Sequence, residues 1–376
     1  MLFNSYTFIF AFLPVALLGY ALIGRTQSRV AVLSWLIAVS VAFYGLWNPI
    51  SLLIILPSVA VNYLLARWMQ ARTAAGAEGD RQCTWILTLG IVFNLCFLGY
   101  FKYKNFFLDS ANELFGTQFA LVATILPLGI SFITFQKIAF LVDVRVGTIR
   151  KFDAFDFLIF VFFFPQLIAG PIVHYREMVP QFNAASQRLQ ASEIAVGLSL
   201  FAIGLFKKAV LADGIAPYAN LSFGAAEQGQ SPGLIQAWLG ALAYTLQIYY
   251  DFSGYSDMAI GLGKVFGFHF PENFLHPYAA RSITDFWRRW HVSLSTWFRD
   301  YVYIPLGGSR CSALAQTRNV LVTFAVSGLW HGANWTFLVW GMLHGIGVAI
   351  EHLWSHRLYL PALFGARGRW LRILVI

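Results

Sequence analysis

The sequence is poor in charged residues. Asp, Glu, Lys and Arg make up only 11% of its 376 residues, whereas 58% are hydrophobic. Soluble domains carry about 25% charged residues, so a chain of this length has too few polar side chains to cover a soluble surface. Disordered, fibrous and coiled-coil classes are excluded for the same reason. Long apolar runs recur from residue 7 to the last residue, which predicts one polytopic, membrane-embedded domain over residues 1–376.

Cysteine is scarce, and several catalytic motifs are missing. The three cysteines, Cys83, Cys96 and Cys311, form no Cys-x-x-Cys pair, so the sequence predicts neither a disulfide framework nor a metal site. HExxH, Walker A, GxGxxG and GxSxG patterns do not occur, which removes the usual support for metalloprotease, P-loop and serine-hydrolase functions. The inverted repeats typical of transporters are not evident either.

The net charge of +9 is unevenly distributed. The cations lie in short clusters between apolar runs, as in cytoplasmic loops near lipid headgroups, so membrane lipid rather than nucleic acid is the expected partner. By the positive-inside rule the N-terminus lies outside, and the arginine-bearing gaps face the cytoplasm. Lys102 and Lys104 would then lie outside, against that rule. The first run has no basic region and no small-residue cleavage site, so we interpret it as a retained span.

Apolar runs of about 20 residues predict membrane-spanning helices. The run 157–173 is interrupted by two prolines and a glycine, which predicts a re-entrant segment, since broken backbone at membrane depth needs protein or water around it. Residues 177–193 are expected to form a polar surface loop, and the charge-rich stretch 264–310 to form interfacial helices. Residues 370–376 begin an apolar run too short to span, so we expect an incomplete C-terminus or a short interfacial piece. The expected spans are residues 7–23, 30–46, 52–66, 85–101, 121–142, 194–211, 234–250, 320–330 and 335–350.

His331 is a candidate for chemistry because it lies in an apolar stretch. No charged residue occurs between Arg318 and Glu351, and desolvation there would keep the imidazole neutral, as a general base requires. Asn334 would share its helical face if the segment is helical at that point. The alternative is a packing histidine whose ring is hydrogen-bonded to a backbone carbonyl.

His291 belongs to a second cluster, within the charge-rich stretch. Helical spacing places Arg288, His291 and Ser295 on one face, with Trp287 and Arg299 near its edges. A guanidinium, an imidazole and a hydroxyl between two indoles suit a phosphate-bearing or acyl-carrying cofactor that arrives from the cytoplasm. The alternative is an interfacial helix whose arginines bind lipid phosphate.

Asp251, Tyr255 and Asp257 place two carboxylates and a phenol at the end of an apolar run. Because Asp251 and Asp257 are six residues apart, they do not share a face of a regular helix, and a paired-carboxylate mechanism gains little support. A binding role for these side chains therefore stands beside a simpler one, in which most of the segment hydrogen-bonds buried loop backbone.

At these residues the sequence resembles the membrane-bound O-acyltransferases. The tripeptide Trp330-His331-Gly332 lies in an apolar run, and Arg289-Trp290-His291 precedes it by 40 residues. The likeness is strongest to the bacterial alginate O-acetyltransferase branch, and the motifs follow the family's order over nearly the whole chain. Further stretches that carry it are 127–132 (PLGISF), 164–172 (FPQLIAGPI), 251–258 (DFSGYSDM), 285–295 (DFWRRWHVSLS) and 298–308 (FRDYVYIPLGG).

The resemblance implies an all-α polytopic transmembrane protein, with re-entrant and interfacial helices around an intramembrane tunnel. It implies that His331 is the catalytic histidine and that His291 is the second histidine of the site. The acyl donor would be cytoplasmic acetyl-CoA, with no resident cofactor, and the final acceptor an exported polysaccharide such as alginate. Residues of the same motifs would bind donor or substrate, namely Arg288, Trp290, Ser295, Trp330, Asn334, Asp251, Tyr255 and Asp257.

The resemblance also implies a place in the bacterial inner membrane, beside periplasmic acetyltransferase partners that complete the transfer to sugar hydroxyls. Members of this branch are usually longer, with further spans after the Trp-His-Gly region. Two alternatives stay open, a D-alanyl transferase of the teichoic acid type on the same fold and a transporter without chemistry. Alginate, cellulose and peptidoglycan are equally compatible acceptors, and the oligomeric state is open.

Overall fold

All regular structure in the described part of the chain is helical. A computed structural model describes residues 2–73, 76–122, 124–168, 170–183 and 189–357. Short π-helical segments adjoin several helices, at Phe8–Phe12, Gly99–Tyr103, Lys207–Ala212 and Arg299–Tyr303. The α-helices are α1 (Leu13–Gly24), α2 (Arg29–Trp47), α3 (Pro49–Arg72), α4 (Gly76–Leu98), α5 (Lys104–Phe115), α6 (Ile130–Arg145), α7 (Ala154–Phe162), α8 (Phe164–Leu167), α9 (Tyr175–Asn183), α10 (Ala191–Phe206), α11 (Asp213–Glu227), α12 (Leu234–Val265), α13 (Ile283–Arg289), α14 (Val292–Phe298), α15 (Ala313–His331) and α16 (Trp335–Arg357). This architecture confirms the all-α prediction.

Five helical stretches of the described chain are long and apolar enough to cross a membrane. They contain the predicted spans 30–46, 52–66, 85–101, 194–211 and 335–350, so these spans are helical as expected. The predicted span 7–23 corresponds to a shorter apolar helix, Phe8–Gly24. The five long stretches are Arg29–Trp47, Pro49–Arg72, Glu78–Phe115, Ala191–Glu227 and Trp335–Trp354.

Side-chain caps fix where several helices begin. The Ser28 hydroxyl accepts from the amide of Ala31 at the start of α2, and Asn48 Oδ1 accepts from the amide of Ile50 at 2.9 Å at the start of α3. These bonds satisfy amides that have no partner within the helix. Each cap stands at the gap between two predicted spans, so the sequence gaps and the structural breaks coincide.

The predicted span 121–142 is wrong in its first part. Residues 124–129 are not helical, and α6 begins only at Ile130. Pro127 disfavours helix at the residue before it, and Gly129 has a φ of +68°, where a Cβ would lie 2.8 Å from the carbonyl oxygen of Leu167. The apolar composition of this segment is that of a span, but its backbone chemistry does not permit a continuous helix.

The polar loop predicted over 177–193 is also partly wrong, because α9 occupies its first residues. Tyr175, Met178, Val179 and Phe182 are buried, and their spacing is that of one helical face. In the neighbouring run 157–173, α7 and α8 are separated at Phe163, whose backbone is not helical. Burial of α8 is complete, and the re-entrant path of this run stays a prediction. The predicted short run 370–376 lies outside the described residues.

Helix α12 continues through residues 251–258, so the loop expected there is wrong. The helix runs without interruption for 32 residues. It packs against α10 through glycines: a Cβ at Gly204 would lie 2.5 Å from the carbonyl oxygen of Gly254, and a Cβ at Gly261 the same distance from that of Gly197. The two helices therefore touch through backbone at Gly254 and Gly261.

The described residues pack as two compact units. The first comprises the chain up to Phe101 together with Thr124–Pro271, and the second comprises residues 102–122 and 272–357. In the second unit α15 packs against α16, where a Cβ at Gly328 would overlap the carbonyl oxygen of Phe337 and a Cβ at Gly341 that of Phe324. This close approach brings the end of α15, which carries His331, against α16.

Candidate active site

His291 lies at a break between two short helices. Helix α13 ends at Arg289, and His291 adopts φ 44° and ψ 56° before α14 begins. The prediction that Arg288, His291 and Ser295 share one helical face is therefore wrong. The break arises because the chain pairs with a neighbouring strand-like segment: the amide of Leu275 donates to the carbonyl of Arg289 at 2.9 Å, and the amide of Val292 to that of Asn273 at 2.9 Å.

Asn273 holds the His291 ring. Its Oδ1 lies 3.1 Å from His291 Nδ1, and the same oxygen accepts from the amide of Ser293 at 3.2 Å and from its hydroxyl at 3.0 Å. Because a backbone N–H donates to this atom, it is the amide oxygen, and an oxygen that only accepts requires a proton on Nδ1 of the histidine. The neutral ring then carries its lone pair on Nε2. Sequence reasoning missed Asn273, and its spacing gave no signal.

The neutral state of His291 follows from its burial. The side chain is only 1% exposed, and burial, with a smaller contribution from nearby His331, lowers the pKa of His291 from 6.5 to about 3. A charged imidazolium without water around it is disfavoured. At the pH of a cell, His291 is therefore uncharged and acts as a hydrogen-bonding or basic group.

His331 is the last residue of α15, and its ring nitrogen is unpaired. The backbone turns to an extended conformation at Gly332, and His331 Nε2 is buried with no hydrogen-bond partner among the described residues. A buried polar atom without a partner costs about 1–3 kcal/mol. The sequence alternative, a packing histidine hydrogen-bonded to a backbone carbonyl, finds no such bond at Nε2. A role of this nitrogen in chemistry stays a prediction.

Asn334 does not share a helical face with His331, since α15 ends before it. Its Oδ1 accepts from the amide and from the hydroxyl of Thr336, each at 2.9 Å. It therefore caps the start of α16. A role in binding substrate stays a prediction, and its carbonyl oxygen already has two donors.

An indole lies between the two histidines. Trp330 has its ring centroid 6.4 Å from that of His291 and 4.8 Å from that of His331. On its other side, His331 lies 5.0 Å from Trp340, which in turn lies 4.8 Å from His344. The structure thus brings His291, Trp330 and His331 together. Trp340 and His344 were missed, although their spacing of four residues in an apolar helix is a signal.

Two side chains from residues 102–103 hold the last turn of α15. Lys102 Nζ donates to the carbonyl of Trp330, and the Tyr103 hydroxyl donates to that of Leu329 at 2.7 Å. Carbonyls in the last turn of a helix have no partner within it, and a cation there is favourable. Sequence reasoning treated Lys102 only as an exception to the positive-inside rule. Its position at the end of an apolar run was a signal of a structural or functional role, because ionisable residues are costly there.

A cavity of about 580 Å³ lies within the second unit; Val292, the residue after His291, lines it, but neither site histidine does. Arg288, Arg299 and Ser295 line this cavity, although the helix break prevents Arg288 and Ser295 from sharing one helical face. Phe298 forms part of its wall and has its ring 6.4 Å from Trp330. Ser295 Oγ donates to the carbonyl of Trp290 at 3.3 Å. Two guanidinium groups and an apolar wall suit a ligand with an anionic end and an apolar end.

Asp251, Tyr255 and Asp257 lie in the first unit and have partners there. Asp251 forms an ion pair with Lys208 at 2.5 Å, and Asp257 forms one with Lys207 at 2.6 Å. The Tyr255 ring stacks on Phe3 at 4.9 Å. The two carboxylates are thus paired with a π-helical segment of the same unit, and a role in substrate binding stays a prediction for all three.

Both site histidines lie in the part of the chain that matches a known protein family. Residues 82–371 match the family model of the membrane-bound O-acyltransferase family. The peptidoglycan O-acetyltransferase of Helicobacter pylori is 42% identical over 383 residues, which cover 95% of this chain and 71% of that protein. The probable alginate O-acetylase AlgI of Pseudomonas aeruginosa is 46% identical over 356 residues, 93% of this chain and 66% of that protein.

A more distant relative has a different acyl group in its name. The teichoic acid D-alanyltransferase of Streptococcus thermophilus is 32% identical over 243 residues, which cover 61% of this chain and 58% of that protein. The chain spans roughly two thirds of the length of the two O-acetylating relatives. The matched residues include both site histidines and most of the described helices. This chain therefore belongs to the membrane-bound O-acyltransferase family and is an O-acyltransferase.

Proposed function

We propose that this protein takes an acetyl group from acetyl-CoA on the cytoplasmic side of the bacterial inner membrane and supplies it for O-acetylation of an exported polysaccharide. The observation that carries the proposal is the buried, unpartnered Nε2 of His331 beside the neutral His291. The names of two relatives, a peptidoglycan O-acetyltransferase and a probable alginate O-acetylase, support acetyl as the group and a glycan as the acceptor.

In the proposed reaction His331 acts as a general base and then as a general acid. With its proton on Nδ1, its Nε2 takes the proton of an acceptor hydroxyl as the oxygen attacks the thioester carbonyl. The new C–O bond gives a tetrahedral oxyanion, whose collapse breaks the C–S bond. The imidazolium then returns its proton to the departing thiolate, so that the products are an O-acetyl ester and a free thiol.

The cavity of the second unit would hold the donor. Arg288 and Arg299 line it, and guanidinium groups bind phosphate oxygens in bidentate fashion. Arg288 has no ion pair in the described chain, whereas Arg299 is bonded to Asp300 at 2.7 Å. Arg288 is therefore the stronger candidate for contact with the phosphates of coenzyme A, with Ser295 and Trp290 beside the thioester arm.

His291 would orient the site rather than exchange protons. Its Nδ1 is bonded to Asn273, and its ring packs against Trp330, which also packs against His331. A neutral ring fixed in this way keeps the indole and the catalytic imidazole in one arrangement. Preorganised groups of this kind contribute to acyl transfer because they need not rearrange during the reaction.

Family resemblance supports a division of labour outside the membrane. Members of the alginate branch act with periplasmic acetyltransferase partners that complete the transfer to sugar hydroxyls. In that arrangement this protein passes acetyl groups to a partner and need not contact the polymer itself. The glycan acetylated in the cell is read from surface polysaccharides of a strain carrying the His331→Gln variant, as the polymer that loses O-acetyl groups.

A D-alanyl transferase is a second candidate function. It is favoured by the 32% identity to a teichoic acid D-alanyltransferase, although that match covers only 61% of this chain. The two functions differ in the donor. A D-alanyl transferase would leave acetyl-CoA intact and consume a D-alanyl thioester on a carrier protein, whereas a transporter would leave both thioesters intact.

Acetyl transfer is tested with purified protein in proteoliposomes and radiolabelled acetyl-CoA. His331→Gln removes the titratable nitrogen while keeping a polar side chain, and we expect acetyl transfer to fall by about 10²- to 10⁴-fold, the usual contribution of general-base catalysis. His269 is exposed and lies in the first unit, so His269→Gln is the matched control and should retain activity. Full activity in a folded His331→Gln protein would overturn the assignment.

A further inference from the structure

Lys102 contacts the residue that separates the two site histidines. Its ammonium nitrogen donates to the backbone carbonyl of Trp330 and lies 5.6 Å from the centroid of the Trp330 indole. Trp330 in turn packs against both His291 and His331. The Lys102 ammonium group therefore contacts both the backbone carbonyl and the indole ring of Trp330, the residue immediately before His331.

No carboxylate neutralises this cation in the described part of the chain. Lys102 is half-buried within the long apolar stretch Glu78–Phe115 and forms no ion pair among the described residues. Placing an uncompensated ammonium in such a position is costly. Capping a helix end requires only a neutral donor, and adjacent Tyr103 already supplies one to the carbonyl of Leu329. The positive charge of Lys102 therefore needs a further reason.

That reason lies in the groups that face the His331 ring. They are Lys102 from the segment before α5, His344 from α16 and His291 from the break before α14. Lys102 is the one of these three groups that is a cation when protonated, whereas the two histidines are neutral. Burial is the main reason that a second proton on the His331 ring is disfavoured, and a positive charge close to the imidazole adds to that effect. The neutral ring is the form that a general base needs.

We propose that Lys102 is a positioning residue for acyl transfer: it fixes the last turn of α15, and its charge keeps His331 in the neutral, proton-accepting form. The inference rests on the proposed role of His331. Tyr103 shares the first task but not the second, because a phenol donates a hydrogen bond without a charge. The two residues thus separate the mechanical contribution from the electrostatic one.

The test compares Lys102→Met, Lys102→Arg and Tyr103→Phe in the acetyl-CoA assay. Lys102→Met removes the charge at similar length, and we expect kcat to fall by up to about 100-fold, with KM for acetyl-CoA changed by less than about twofold, since the residue does not line the donor cavity. The acidic limb of the pH dependence of kcat should move up by about one pH unit, because without the cation the ring takes up a proton at higher pH. Lys102→Arg should restore most of the rate and the original limb.

Tyr103→Phe and Lys104→Met are the matched controls. Tyr103→Phe should lower kcat without moving the acidic limb, and Lys104→Met, a lysine two positions further, should change neither. If Lys102→Met does not fold, Lys102→Gln keeps a donor for the Trp330 carbonyl and lacks the charge, so the same displacement of the pH limb is expected. An unchanged limb in both uncharged variants, or equal loss in Lys102→Met and Lys102→Arg, would overturn the proposal.

The wild-type protein and His331→Gln are measured in the same assay. If wild-type protein does not consume acetyl-CoA, or if His331→Gln equals wild type, the proposed function fails. If both behave as expected and only the Lys102 series departs from its prediction, the function stands and the role of Lys102 is refuted.

Discussion

At the scale of single residues, Asn273 decides how His291 can act. One amide oxygen accepts from the His291 ring and from both donors of Ser293, so the proton of the neutral ring is confined to Nδ1. His291 is therefore uncharged, its ring is held in one orientation, and its Nε2 carries the lone pair. Removal of Asn273 would take away the acceptor that these three donors share, at a cost of about 1–3 kcal/mol for each buried donor left without a partner.

The buried state of His291 predicts that the protein loses stability on acidification. Its pKa is about 3 in the folded protein against 6.5 for the free side chain. As the pH falls below 6.5, the unfolded chain takes up a proton that the folded protein does not, so unfolding becomes more favourable. At about 1.4 kcal/mol per pH unit, His291 alone should lower the free energy of unfolding by about 2 kcal/mol between pH 6.5 and pH 5.

Thermal unfolding in detergent between pH 8 and pH 5 measures this effect. The His291→Gln variant cannot titrate, so its melting temperature should fall less on acidification than that of the wild type. His269→Gln, at an exposed position, should follow the wild type. Parallel pH dependence of the wild type and His291→Gln would show that His291 is not the group responsible.

Sequence reasoning identified the histidines but not the residues that position them. His291, His331, Trp330, Arg288 and Ser295 could be predicted because an ionisable or polar residue in or beside an apolar run stands out. Asn273 acts through a contact 18 residues away, and Lys102 through one 228 residues away. No local period encodes contacts of this kind, because they depend on how distant segments pack.

At the scale of helices, close backbone contact sets the geometry. Helix α15 can bring His331 against α16 only because Gly328 and Gly341 have no side chains at the crossing. The same device joins α10 to α12 in the first unit. Packing of small residues lets helices approach closely in a membrane, where apolar surface alone gives little drive for association.

Gly328→Ala should separate α15 from α16 and impair the site. The new methyl group would overlap the carbonyl of Phe337, and overpacking of this kind costs about 1–3 kcal/mol. We expect a lower melting temperature and reduced acetyl transfer, because the end of α15 carries His331. Gly214→Ala is the matched control: the position is helical with nothing within 4 Å of the new Cβ, so stability should be unchanged or slightly raised.

Helices were easier to predict than the breaks within them. The apolar run 30–46 gave α2 to within one residue at each end, whereas the run 52–66 located α3 but stopped six residues before its C-terminal end. Hydrophobicity and capping act locally, which is why such helices can be located from the sequence. The segment before Gly129 was predicted to be helical and is not, whereas the segment from Asp251 was predicted to be a loop and is helical. An apolar stretch was broken by its backbone, and a polar stretch stayed helical because Lys207 and Lys208 pair with its carboxylates.

At the scale of the whole molecule, the scarce charges have two uses. Some of them pair, as in Arg29 with Asp156 and Lys207 with Asp257 in the first unit and Arg289 with Asp285 in the second. In the described part of the second unit Lys102 and Arg288 form no ion pair with a carboxylate. A chain with 11% charged residues has few to leave unpaired, and the proposed function uses Arg288 to bind an anionic donor and Lys102 to supply the charge beside His331.

The placement of these charges predicts the orientation of the protein in its membrane. If the arginine-bearing gaps face the cytoplasm, a cysteine at Thr26 and one at Arg310, seven residues after Tyr303 of the cavity wall, should react with a membrane-impermeant maleimide only after permeabilisation. Four predicted spans separate Gln118 from an N-terminus on the outer side, so Gln118 should also lie outside. A cysteine at this position should therefore react in intact spheroplasts. The background replaces Cys83, Cys96 and Cys311 with serine and must retain acetyl transfer.

Reactivity at Arg310→Cys decides the side from which the donor enters. Labelling only after permeabilisation agrees with a cytoplasmic source of acetyl-CoA, because coenzyme A thioesters are charged and do not cross a bilayer unaided. Labelling in intact spheroplasts, with Gln118→Cys protected, would reverse the orientation and place the two arginines of the cavity on the outer face. Acetyl-CoA could not then be the donor, since the cavity would open away from the compartment that holds it.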